Sequence, residues 1–136
     1  MKKLSSIAYS SAAFNIAMLL LRLCFGGILL FKHGLMKLQN FDSIQNQFYN
    51  FMGIGTKTSL ALAIFAEVFC ALFVVIGLFT RITLIPIIIT MLVAIFGDGA
   101  GKPILESELA IIYLCAFFTL LLCGPGKISV DGMMNK

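Results

Sequence analysis

Charge is scarce in this chain. Only 12% of its 136 residues are Asp, Glu, Lys or Arg, and the mean hydropathy is +1.04. A soluble domain carries roughly 25% charged residues, so the deficit excludes an ordinary water-soluble fold and makes hydrocarbon the solvent. A net charge of +4 is spread along the chain with no basic tract and no aromatic-basic interleaving, which excludes a nucleic-acid surface. The basic excess instead bears on topology and on contact with anionic headgroups. Cysteine is sparse and unclustered. Cys24, Cys70, Cys115 and Cys123 form no C-x-x-C pair and all lie in apolar runs, which argues against a secreted disulfide framework and against a zinc site. Metal ligands are none, and no cofactor is evident. The apolar run after Lys2 and Lys3 contains Arg22 and lacks a small-residue cleavage signal, so it is expected to be retained as a membrane helix.

What the chain does contain is four apolar segments, at about residues 12–32, 59–79, 82–97 and 104–123. Each approaches the ~20 residues that cross ~30 Å of hydrocarbon. The expected fold is all-α: an integral membrane antiparallel four-helix bundle in a single domain over residues 1–136. Pro86 is expected near the start of the third span, where a missing N–H is tolerated. Between the first two spans, Phe41, Ile44, Phe48, Phe51 and Met52 recur at helical spacing among polar residues. That pattern predicts an amphipathic interfacial helix, either a connector or a lid over the bundle mouth.

Four crossings place both termini on one side, with Lys2, Lys3, Arg81, Lys127 and Lys136. Lys32, Lys37, Lys57 and Lys102 fall on the other. The slight excess favours cytoplasmic termini in a multi-pass protein of the cytoplasmic membrane.

Ionisable residues inside the spans demand a reason. On an unbroken α-helix, Arg22 and His33 fall about 20° apart and Lys37 about 60° from Arg22. Glu67 descends from the same distal surface on span two, and Glu106 and Glu108 stand at the mouth of span four. Arg22, His33, Lys37, Glu67 and Glu108 are therefore expected to converge in one half of the bundle, with Arg22–Glu67 as the leading ion pair. An intramembrane ion costs at least ~2.5–3.5 kcal/mol, so such groups face inward and pair. The cluster either fixes helix register or forms a polar pocket. His33, the only histidine, is placed either to move a proton or bind a ligand carbonyl, or to end a helix at the headgroups. Cys70 and Cys115 share faces with Glu67 and Glu108, which allows a thiol pair, although packing is the commoner role of such a residue. On the terminal side, Arg81 and Asp131 are expected to pair and tie the tail to the span-two/three hairpin.

Arg22, "HGLMK" at 33–37, Glu67, "GLFTR" at 77–81, Glu108 and "GPGKISVD" at 124–131 together resemble the DoxX family of small bacterial four-helix membrane proteins. The resemblance implies a bacterial inner-membrane setting and links, through some relatives, to thiosulfate:quinone oxidoreductases and to assemblies handling oxidative and thiol stress. Others have chaperone or cargo-binding roles. No haem motif or flavin fingerprint is present, which argues against independent electron transfer.

Three functions follow as expectations. The first is a redox-linked subunit whose pocket binds a quinone or a sulfur compound, with a redox protein as partner. The second is a non-catalytic assembly or chaperone-like module, whose charges mate with another membrane protein or a second copy of this chain. A small exporter is the third, opposed by Arg22, which would repel cationic cargo.

Overall fold

The computed structural model describes residues 4–135. Lys2, Lys3 and Lys136, which enter the terminal-side charge balance, lie outside the described residues. Regular structure among the described residues is helical. In chain order the elements are α1 (Ser11–Gln39), α2 (Phe41–Ile44), α3 (Thr56–Ile76), α4 (Thr80–Asp98), α5 (Ile104–Cys123) and α6 (Val130–Met134). Helices α1, α3, α4 and α5 have the length and apolar character to cross a membrane.

Local chemistry sets their ends. Ser10 caps α1 by accepting a hydrogen bond from Ala13 N at 3.1 Å, as an N-cap hydroxyl should. Past residue 32 nothing stops the helix, because Gly34 keeps helical dihedrals, so α1 carries His33 and Lys37 on its final turns. Helix α3 ends early, at Ile76. Gly77 takes φ 77°, and Leu78 N and Gly77 N donate back to Phe73 O and Val74 O at 2.9 and 3.1 Å. This is the paired C-terminal lock that a left-handed glycine permits. Helix α4 starts at once, which puts Pro86 in its second turn, deeper than the sequence implies. Helix α5 runs over the expected residues and stops at Gly124, φ 86°.

Within the long helices, Arg22–Gly26, Leu29–Gly34, Phe65–Cys70 and Val93–Asp98 are π-helical turns. Leu35 N, for instance, donates to Leu30 O, five residues back. Such turns insert one residue into the ladder and recur at functional sites. Here they carry Arg22, His33, Glu67 and Asp98.

Helix α1 packs on α3 and α5, while α4 packs on α3 and along α5. Leu29, Leu60, Val74, Leu84, Ile87, Phe117 and Leu120 are buried between them. Phe31, Phe69, Ile82, Phe118 and Leu122 point outward, as hydrocarbon-facing side chains do. Lipid tails are as apolar as leucine, so close packing and hydrogen bonding carry the association. Gly34 marks a close approach between α1 and α3. A Cβ there would lie 2.5 Å from the carbonyl oxygen of Glu67, so only glycine lets α1 meet the α3 backbone.

The expected amphipathic helix over 41–52 is not continuous. Only Phe41–Ile44 is α-helical. Asn50 is extended, and Met52 turns left-handed at φ 52° inside a 3₁₀ turn over Phe51–Gly53. Phe41, Ile44 and Phe48 pack inward against the core. Asn50 Oδ1 accepts from Gly55 N, and Ser59 Oγ accepts from Phe51 N, both at 2.8 Å. These bonds fold the connector onto the first turns of α3.

Candidate functional site

The charged residues divide into two groups at opposite ends of the helices. The terminal-side group is answered by helix-end backbone. Arg22, 1% exposed, donates to Val75 O at 3.1 Å and to Ile128 O. It thereby supplies a cation to the α3 C-terminus, whose last carbonyls have no intrahelical donors, and ties the tail to it. Arg81 does the same for α5, donating from Nε to Leu121 O at 3.2 Å and from Nη2 to Leu122 O at 3.4 Å. Asp131 accepts from Phe79 N and Thr80 N at 2.8 and 2.9 Å, covering orphan donors at the start of α4.

Burial disfavours the charged form of Asp131. The hydrogen bonds from Thr80 and Phe79, aided by the Arg22 guanidinium, outweigh burial and hold its carboxyl below the usual range.

This arrangement corrects the expected pairings. Arg22 does not meet Glu67. Side chains lean toward their own helix N-terminus, which carries the long Arg22 down to Val75, eight residues and roughly 12 Å of rise beyond Glu67 on α3. The π-helical turns also displace the faces that an unbroken wheel assigns. Arg81 and Asp131 join the same region, yet each bonds backbone and not the other.

The distal group is different. Lys37 leans back one turn from the Gly34 contact, and its Nζ lies 2.7 and 2.6 Å from Glu67 Oε1 and Oε2. Glu67 is nearly buried, with 5% of its side chain exposed against 20% for Lys37. Phe48 from the connector sets its ring centroid 5.7 Å from Lys37 Nζ, a cation–π approach. His33 meets Tyr113 of α5 edge-to-face at 5.8 Å. Tyr113 stacks in turn on Phe117 at 5.9 Å and stands edge-on to Phe25 at 6.1 Å, so its ring is fixed from three sides.

His33, Glu67 and Tyr113 wall a cavity of about 320 Å³, with Asp98, Lys102 and Glu106 around it. Its size falls at the lower end of the ~300–1,000 Å³ typical of small-molecule sites. Both glutamates are exposed, and Glu106, not Glu108, contributes the α5 carboxylate, because the first turn of that helix is 3₁₀ and ends at Ser107. Tyr113 and Asp98 also line the site, and neither is among the residues expected from the sequence. The available signal for Tyr113 is a polar aromatic in the middle of an apolar span. Cys70 is buried, Cys115 is exposed, and both are free thiols. Among the described residues, no three His, Cys, Asp or Glu side chains gather as metal ligands.

A family model described as DoxX matches residues 17–97, which takes in α3 and most of α1 and α4. The chain belongs to the DoxX family. No curated protein matches the chain, and neither does any solved structure.

Proposed function

We propose that this DoxX-family chain is a redox-linked subunit of the bacterial cytoplasmic membrane, whose distal pocket binds a quinone or a sulfur-containing small molecule. In this reading the four long helices cross as an antiparallel bundle, both termini are cytoplasmic, and the pocket opens toward the exterior. The supporting observation is the contrast between the two ends. Terminal-side charges are consumed by helix-end carbonyls and amides, whereas His33, Glu67 and Tyr113 face a common cavity.

The chemistry fits an oxygenated head. The Tyr113 hydroxyl and His33 imidazole donate to a carbonyl oxygen, and His33 is suited to hand on a proton as that oxygen gains negative charge. Lys102 is the cation among the residues lining this pocket, while Lys37 is held by Glu67 on the side of the neighbouring cavity. Electrons come from a partner redox protein in this proposal. A module that only mates with another protein's membrane segment would need no cavity behind its ion pair.

The test is to purify the protein with native lipid and identify bound small molecules by mass spectrometry. A quinone or sulfur compound, lost on His33→Ala or Tyr113→Phe, is the expected result. If no small molecule co-purifies and both variants keep the wild-type phenotype, the assembly reading replaces this one.

A further inference from the structure

A second cavity, about 510 Å³, lies on the other side of Glu67, between α3, α4 and the connector. The two cavities share Glu67, Met91, Ala94 and Asp98 as a common wall. Their characters differ. The first is ringed by Asp98, Lys102 and Glu106. The second is lined mainly by apolar side chains, among them Phe48, Phe51, Ala63, Pro86 and Val93. It is also flanked by Leu62, Phe65 and Ile89, which are about half exposed on the outward faces of α3 and α4. In a membrane those faces meet acyl chains, so the second cavity opens sideways into hydrocarbon, not into water. Its inner end is the Lys37–Glu67 pair, and Ala94 is the smallest of the four side chains on the partition.

We infer that the second cavity holds the hydrocarbon tail of a membrane amphiphile whose oxygenated head occupies the polar cavity beyond Glu67. This deepens the proposed function and rests on it for the head, because a polar site that shares a wall with a lateral apolar groove suits a tailed molecule better than a water-soluble one. The ligand enters from the bilayer between α3 and α4, beneath Phe48 and Phe51, and need not cross the charged mouth. The groove follows from the fold of the connector. An in-plane amphipathic helix would turn its phenylalanines to lipid, whereas the broken connector turns Phe48 into the roof.

The probes are 2,3-dimethoxy-5-methyl-1,4-benzoquinone and its decyl derivative, added to the protein reconstituted in lipid vesicles. Binding is read as saturable quenching of tyrosine fluorescence, which no tryptophan obscures, since the chain has none. The decyl compound is expected to bind at least tenfold tighter to wild type. Thr90→Phe, which fills the groove from α4, is expected to abolish that advantage while tail-less binding stays within twofold. Ala63→Leu, filling from α3, repeats the test if Thr90→Phe does not fold. If the tail advantage survives both substitutions, or is absent from wild type while the tail-less quinone binds, the groove is not the tail site and the proposed function stands. If neither quinone gives saturable quenching, the proposed quinone site and this inference fall together, and a sulfur compound remains for the pocket.

Discussion

Lys37 Nζ sits between the two carboxylate oxygens of Glu67, 2.7 and 2.6 Å away, at the point where Gly34 brings α1 onto the α3 backbone. The pair is nearly dry on the Glu67 side and partly wet on the Lys37 side. Removing one partner of a buried ion pair leaves the other uncompensated and costs about 3–5 kcal/mol. Lys37→Met should fall near about 3 kcal/mol, the low end, because the lysine keeps some solvent. Lys37→Met/Glu67→Gln should recover at least half of that loss. Unfolding followed in detergent by a double-mutant cycle is the measurement, and a double variant no better than the single would show that the two residues do not act as a pair.

Gly34 and Gly27 provide a matched contrast on one helix. A methyl at Gly34 runs into the Glu67 carbonyl, whereas nothing lies within 4 Å of one at Gly27. Gly34→Ala should destabilise by about 1–3 kcal/mol through overpacking. Gly27→Ala should be neutral or slightly stabilising, as alanine is the better helix former. Equal melting temperatures for the two variants would contradict the close approach.

Arg22→Ala should cost about 3 kcal/mol, in line with losing two charge-assisted hydrogen bonds worth roughly 1.5–3 kcal/mol each in a non-additive way. Because Arg22 serves the terminal side, binding in the distal pocket should stay within about twofold of wild type under conditions where the variant is folded. Ligand titration of the folded fraction checks this. A tenfold loss of binding would return Arg22 to the pocket.

Asp131 predicts an acid limb to stability. Its pKa is lowered from the ordinary 3.8, so the native state binds its proton less readily than the unfolded chain. The stabilisation is therefore fully present above the unfolded pKa and is lost as pH falls through the folded one. Melting temperatures of wild type and Asp131→Asn should differ by a constant amount above about pH 5 and converge below about pH 4. A gap that is independent of pH would mean that the carboxylate charge contributes nothing at the start of α4.

Much of the architecture was legible before any coordinates. Hydropathy runs located the four long helices, although the second run, 59–79, passes Gly77, where the left-handed backbone ends α3. The basic and acidic residues near the helix ends also signalled contact between the tail and the hairpin after α3. Their partners were not legible. Arg22 and Arg81 bond carbonyls, and Asp131 bonds amides, backbone groups that almost every residue carries and that the sequence pattern does not single out. The connector misled for a related reason. Its spacing is helical, but Asn50 and Met52 leave the helix so that Asn50 and Phe51 can bond the start of α3.

By itself the sequence determined the solvent, the number of long helices and the need to hide a permanent cation, because the cost of charge in hydrocarbon depends only on residue type and run length. Only the tertiary structure decided that Lys37, and not Arg22, answers Glu67, and that Tyr113, Asp98 and Glu106 share a cavity with His33. Those outcomes depend on axial stagger between neighbouring helices, on which end a long side chain leans toward, and on π-helical turns that rotate a face. Each is a property of helices packed together and is absent from any one of them.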